Sequence, residues 1–291
     1  MKIFLLTGIL LFAFFGLSSC NNEDVIDVDL KPGINLLVVD GWITDKNEPS
    51  VIYLTRSGSY FENTPAPPVS GAILTVADNE GNKETLRESK PGKYVTQALR
   101  GKIGHTYTLS IQVDGEEYTA STQLRRVPVI DSLRITYDEG EFTEEEEKEN
   151  GWTGLKDERE GYYLYYYGPE PEGMGDNYRF KIYQNDVMRS RPEDMVFVND
   201  EYIDGKYLRD IKLNSRPIKS TEHLRVEIWS IDQETYQYYF ELLPQIVNGG
   251  LLTVPPANVR SNIKNSNPNG KKALGWFGSS AVSVINVTVP Q

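Results

Sequence analysis

Cysteine is almost missing from this chain: Cys20 is the one thiol in 291 residues. A lone cysteine closes no internal disulfide and builds no thiolate zinc site. Histidine is nearly as scarce. His105 and His223 are the only two, and neither belongs to a His-Glu-x-x-His pair, the usual zinc-protease arrangement. Each precedes a strand-like segment and reads as a structural or exposed turn residue. No Gly-x-Ser-x-Gly elbow, P-loop or dinucleotide-binding glycine fingerprint is found. Basic charge is in short supply, with 30 Lys and Arg against 42 Asp and Glu and a formal charge of -12. That balance argues against a nucleic-acid partner and offers no attraction to an anionic surface. No apolar run reaches the ~20 residues of a membrane-spanning helix.

What is present begins at the N-terminus. Lys2 is followed by an apolar run from Ile3 to Leu17, then by Ser18, Ser19 and Cys20. A basic start, a short apolar stretch and small residues at its end make a secretory signal peptide, here residues 1–19. Leu17-Ser18-Ser19-Cys20 resembles the lipobox of bacterial lipoproteins. The resemblance implies that Cys20 takes a diacylglyceryl group as a thioether, that cleavage precedes it, and that the lipid anchors the chain. Thiolate chemistry suits this step because sulfur is the strong nucleophile among common side chains. Residues 20–33 then form a lipidated polar tether, and Asn21, Asn22, Glu23 and Asp24 resemble a surface-export signal of Bacteroidetes-type lipoproteins. The expected location is the outer membrane, facing the exterior.

The mature chain reads as all-β. In Tyr107–Val113, Tyr107, Leu109, Ile111 and Val113 alternate with Thr108, Ser110 and Gln112, the period of a half-buried strand. Asp114-Gly115 is a hairpin signal, and Glu117 to Thr122 can pair back. Further short strands are expected near 34–39, 51–55 and 72–77, which together suggest a β-sandwich over residues 34–127. A second, mainly-β domain follows over 128–291, with strands near 178–184, 195–198, 208–213, 224–229 and 282–289. One short helix is expected after Asp232, a candidate N-cap, with Tyr236, Tyr239, Phe240 and Leu243 at helical spacing and Pro244 kinking or ending it. Residues 138–160 carry eleven acids against three bases and read as a solvated insertion. Acid clusters can hold calcium, but no Asp-x-Asn-x-Asp-Gly spacing supports it. The stretch "NDEYIDG", Asn199 to Gly205, reads as a hairpin turn in preference to a calcium loop. No metal or other cofactor is expected.

Candidate ligand contacts are exposed aromatics: Trp152, Tyr163, Tyr165, Tyr202 and Trp276. The strand "GYYLYYYG" supplies two of them, with Tyr163, Tyr165 and Tyr167 on one face and Tyr162, Leu164 and Tyr166 on the other. Aromatic faces can stack on sugars or flat ligands, and they can equally pack in a core. No pair of carboxylates stands out as a catalytic pair, and no catalytic residue is assigned.

The order of several motifs is similar to that of the Bacteroidetes outer-membrane lipoproteins grouped as domain of unknown function 4249. The matching segments are "LLVVDGWIT", "VSGAILTVADNEG", "PGKY", "GKIGHTYTLSIQVDGEEYTAST", "PVIDSL", "DNYRFKIY", "NDEYIDG" and "SNIKN…LGWFGSS". The Gly71–Gly81 stretch also resembles small carboxypeptidase-regulatory and prealbumin-like sandwiches, and the N-terminal domain is expected to be an immunoglobulin/prealbumin-like sandwich. The resemblance implies a non-enzymatic binding or accessory component beside a TonB-dependent nutrient transporter. A structural or adhesion lipoprotein is the alternative, and an enzyme acting on polysaccharide or peptide ranks third.

Overall fold

The computed structural model describes residues 35–58, 64–140, 159–219, 223–247 and 259–289. Cys20, the tether, Trp152 and most of the acidic insertion lie outside the described residues.

The chain first lays down eight strands. They are β1 (Leu37–Thr44), β2 (Val51–Arg56), β3 (Ile73–Asp78), β4 (Lys83–Thr85), β5 (Arg87–Lys90), β6 (Lys93–Val95), β7 (Thr106–Val113) and β8 (Glu116–Gln123). The expected alternation on β7 is present: Tyr107, Leu109, Ile111 and Val113 are buried and Thr108 and Gln112 are exposed. The β7–β8 hairpin turns at Asp114 (φ 53°) and Gly115 (φ 77°), both in the left-handed region a tight hairpin needs. Seven strands follow: β9 (Ser132–Asp138), β10 (Gly161–Pro169), β11 (Asn177–Gln184), β12 (Val187–Met188), β13 (Val196–Asn199), β14 (Tyr207–Lys212) and β15 (Leu224–Ile231). Helix α1 (Gln233–Val247) is next, then β16 (Lys264–Asn265), β17 (Ala273–Ser280) and β18 (Val282–Val287).

Four sheets result. Two five-stranded sheets, β17-β1-β2-β6-β5 and β16-β8-β7-β3-β4, enclose the first core, which includes Leu37, Val39, Ile43, Leu54, Leu109, Ile111 and Phe277. The sheets β14-β10-β9 and β12-β11-β15-β18, with β13 also on β11, enclose a second core around Leu164, Tyr166, Phe180, Val226 and Ile228. Burying each such side chain contributes about 1.5–3 kcal/mol before chain entropy is set against it.

The expected division at 127/128 needs correction. Strands β16 and β17 return to the first sandwich, where β17 pairs in parallel with β1 from Leu37↔Ala273 to Thr44↔Ser280. Ile263, Ala273, Phe277 and Ala281 belong to the first core, while β18 crosses to pair with β15. Without β17, the backbone donors and acceptors along one edge of β1 would have no sheet partner. Gly275 makes the approach fit. Its φ is +88°, and a Cβ there would lie 2.0 Å from the Val39 carbonyl oxygen. Residues 34–291 form one compact unit, and Val127 packs against both cores.

Helix α1 is capped as its sequence predicts: Asp232 Oδ1 accepts the Thr235 N–H at 2.8 Å. Pro244 does not end the helix, which runs on to Val247. One expectation for it is corrected: Phe240 is 62% exposed. The expected Tyr236 and Tyr239 do face inward, joined by Thr235 and Tyr238, and these four sit against Trp276, Trp42 and Phe197.

Candidate functional site

The segment Asn199–Gly205 does not join two strands of one sheet. It carries the chain from β13, bonded to β11, across to β14, bonded to β10. The expected hairpin is therefore a crossover between sheets, and the sandwich stays open on this side. The opening is a cleft of about 390 Å³. Tyr166, Tyr178, Phe180, Phe197, Val198, Leu208 and Ile211 form its walls, Tyr236 of α1 reaches it, and Lys212 and Glu170 supply charge. Tyr202, 78% exposed, stands at its rim. This mostly apolar surface with a few convergent polar groups is the usual make-up of a small-molecule pocket.

Glu170 is 3% exposed. Its Oε1 accepts the Tyr178 hydroxyl at 2.9 Å and its Oε2 accepts the Gly205 N–H at 2.6 Å. Burial raises its pKa, the two hydrogen bonds lower it, and the nearby Asp176 and Asp200 charges raise it again; the result lies above the usual carboxylate value. Burial and the Glu170 hydrogen bond push the Tyr178 phenol up as well. Asp200 Oδ2 accepts the Gly175 and Asp176 N–H groups at 2.7 and 2.9 Å. Arg126 donates from Nε to Asp176 Oδ2 at 2.7 Å and from one terminal nitrogen to the carbonyls of Pro171, Glu172 and Gly173. The Asp176 hydrogen bond raises the Arg126 pKa against the opposing effect of burial.

A second, wider groove of about 920 Å³ runs between the outer face of β8, the start of α1 and residues 260–264. Its polar groups are engaged with one another. Asp232 caps α1 and accepts the Thr122 hydroxyl at 3.0 Å, Arg260 Nε donates to Glu241 at 2.8 Å, and Trp276 Nε1 donates to Thr235 Oγ1 at 2.9 Å. The bonds to Thr122 and Trp276 hold the helix to the first sandwich.

Between the sandwiches lies an aromatic and cationic seam. The Lys181 ammonium sits 3.1 Å from the Trp229 ring centroid and 5.5 Å from that of Trp42. Burial, and then the Arg179 charge, hold the Lys181 pKa well below its ordinary value. Arg179 lies over the Tyr239 ring at 4.5 Å.

The described candidate aromatics do not converge. Among the described candidates, Tyr202 alone lines the cleft. Trp276 is buried, stacked on Tyr238 at 4.6 Å, against the expectation of exposure. Tyr163 is buried too, beneath the Lys212 ammonium at 3.7 Å. Tyr165 is half-buried, with the Arg134 guanidinium 4.5 Å from its ring. The Tyr163–Tyr165 face of β10 is thus covered by cations, while Leu164 and Tyr166 enter the second core. His105 is partly buried, its ring nitrogens 3.3 Å from Asp78 and 3.4 Å from Glu80. Asp78 mainly anchors its own turn. The Asn82 side chain is the largest cause holding its pKa down to about 2, helped by the Asn82 and Glu80 N–H groups.

Glu170, Tyr178, Phe180, Phe197 and Lys212 were not singled out by sequence reasoning. A signal existed in "GPEPEGMGDNY", Gly168 to Tyr178, a turn-rich acidic segment whose counterpart is "NDEYIDG". The two meet through Asp200 and the Gly175–Asp176 backbone.

No curated protein matches this chain. Among solved structures, one similar chain is the Yersinia pseudotuberculosis adhesin InvE, 14% identical, with 68% of this chain covered and a TM-score of 0.17. This chain spans 57% of that chain's length, and a likeness this slight carries no argument about fold or role. The family named Domain of unknown function (DUF4249) matches residues 23–285. With nearly all of both sandwiches inside that span, the chain belongs to the DUF4249 family.

Proposed function

We propose that this chain is a lipid-anchored outer-membrane protein, facing the exterior, that captures a small and largely apolar organic nutrient beside a TonB-dependent transporter. The single observation that favours a binding role is the cleft between β13 and β14. Its volume of about 390 Å³ falls in the range of small-ligand sites, roughly 300–1,000 Å³. Its aromatic walls offer rigid apolar area, and Lys212, Glu170 and Asn199 offer a few polar contacts to orient a guest. Leu17-Ser18-Ser19-Cys20 supports the anchor, and the polar residues behind it support export. The role is transfer of a ligand, with no bond made or broken.

The test is affinity purification of the full lipidated chain from detergent-solubilised outer membranes, alongside binding of the neutral apolar dye Nile red. A co-purifying β-barrel receptor, with dye affinity lowered about tenfold by Phe197→Ala, roughly the loss of one aromatic contact, is the expected result. A chain that purifies without a barrel partner and binds dye no better than the Phe197→Ala variant overturns the proposal.

A further inference from the structure

Three carboxylates meet at the end of the cleft. Glu170 follows β10, Asp176 precedes β11 and Asp200 follows β13. One oxygen from each lies within 4.8 Å of the others, and all three residues are buried, at 3%, 1% and 4% exposure. Buried charge must be paired, and the pairing here is incomplete. Arg126 contacts Asp176 Oδ2, but Arg125 stands 3.9 Å from Asp176 Oδ1, beyond hydrogen-bond reach. Three carboxylates thus face two arginines, only one of them in hydrogen-bond contact.

An independent observation concerns unmet acceptors. Among the described residues, two buried side-chain oxygens have no donor, and they are consecutive: Asp176 Oδ1 and Asn177 Oδ1. A buried acceptor without a donor costs about 1–3 kcal/mol, and more when charged; Arg125 at 3.9 Å is too far to supply that bond, so Asp176 Oδ1 has a place for a ligand in direct contact. Asp200 engages both backbone N–H groups through Oδ2, which leaves its Oδ1 for another ligand.

We infer that Glu170, Asp176 and Asp200 bind a calcium ion that ties the β13–β14 crossover to the turn before β11. Oxygen ligands without nitrogen or sulfur select a hard cation. Calcium accepts irregular sets of six to eight oxygens, whereas magnesium demands a near-ideal octahedron. Asp176 Oδ1, Asp200 Oδ1 and Glu170 supply protein ligands, and water completes the shell. The ion holds down the crossover that carries Tyr202, so it sets the rim of the cleft. The inference stands whether or not the cleft takes a nutrient.

The experiment uses the full mature chain, stripped with EDTA and titrated with calcium, magnesium or terbium. Calcium at a hundredfold excess over its dissociation constant is expected to raise Tm by on the order of 5–10 °C, magnesium by much less. Terbium luminescence excited through tyrosine is expected to appear, to be displaced by calcium, and to fall in Tyr178→Phe, whose calcium-dependent Tm shift remains. Asp200→Asn is expected to lose the shift. If that variant does not fold, the wild-type chain and Tyr178→Phe carry the test alone. Equal Tm in EDTA and calcium overturns the inference. So does a terbium signal that Tyr178→Phe leaves unchanged, because the ion then sits on the exposed acids elsewhere.

Discussion

Lys46 and Glu227, 181 positions apart in the chain, meet at 2.7 Å across the junction of the two sandwiches. The Glu227 side chain is fully buried and also accepts the Trp229 indole N–H at 2.8 Å. Lys46 is its hydrogen-bonded cation, with Arg225 Nε at 3.2 Å. Removing one partner of a buried pair leaves the other uncompensated. Lys46→Met is expected to destabilise the chain by roughly 3 kcal/mol, the low end of the range for such losses because Arg225 remains. Chemical denaturation checks it, and a change below about 1 kcal/mol would show that Lys46 matters little.

Lys181 is expected to behave in the opposite way. Among the described residues no carboxylate forms an ion pair with its ammonium, though the Glu227 and Asp40 charges act on it from farther off; the rings of Trp229 and Trp42 contact it. Lys181→Met keeps the volume and removes a poorly solvated charge, so Tm is expected to stay level or rise. A fall comparable to that of Lys46→Met would mean the cation–π contacts outweigh desolvation.

Acid sensitivity follows from Glu227. Burial raises its pKa, but the Lys46 and Trp229 hydrogen bonds and the Lys46 and Arg225 charges outweigh that and leave it below the usual value. A depressed folded pKa gives stability that is whole above the unfolded value, about 4.3, and lost as pH falls through the folded one. Between roughly pH 5 and 3, the wild-type chain is expected to lose more stability than Glu227→Gln does. Denaturation midpoints across that window decide it, and parallel profiles would remove Glu227 from the account.

Gly275→Ala is expected to cost at least about 2 kcal/mol, from strain at positive φ and from collision with the Val39 carbonyl. Loss of amide protection along β1 would accompany it in hydrogen exchange. Unchanged protection would mean the parallel pair tolerates a side chain there.

Labelling with a tagged fatty acid is expected to mark the wild-type chain and not Cys20→Ala. Label that survives the substitution would place the anchor elsewhere.

Parts of this fold were legible because local chemistry decides them. Asp114-Gly115 must turn, Asp232 caps whatever helix follows it, and the alternation at Tyr107–Val113 fixes which face is buried. Strand β17 was not legible. "ALGWFGSS" has little β propensity, and its glycines make sense only beside β1 and Trp42, where a Cβ on Gly278 would lie 2.6 Å from the indole. The cleft was hidden for a related reason. Asn199–Gly205 has the composition of a tight turn, and whether such a turn stays in one sheet depends on partners far away in sequence. Of the proposed aromatics, Tyr202 lies at the cleft, whereas Trp276 and Tyr163 were drawn inside by Thr235, Tyr238 and Lys212.

The parallel pairing of β1 with β17 has a kinetic side. A contact between Leu37 and Ala273 can form only when nearly all of the polypeptide is present. Antiparallel neighbours such as β7 and β8 can zip up early, but the sheet that begins with the first strand stays unfinished until the last quarter arrives. Long-range closure of this kind slows folding. A chain emerging end-first from a ribosome can therefore form its local hairpins early, but it cannot complete its first sheet until Ala273–Ser280 has emerged.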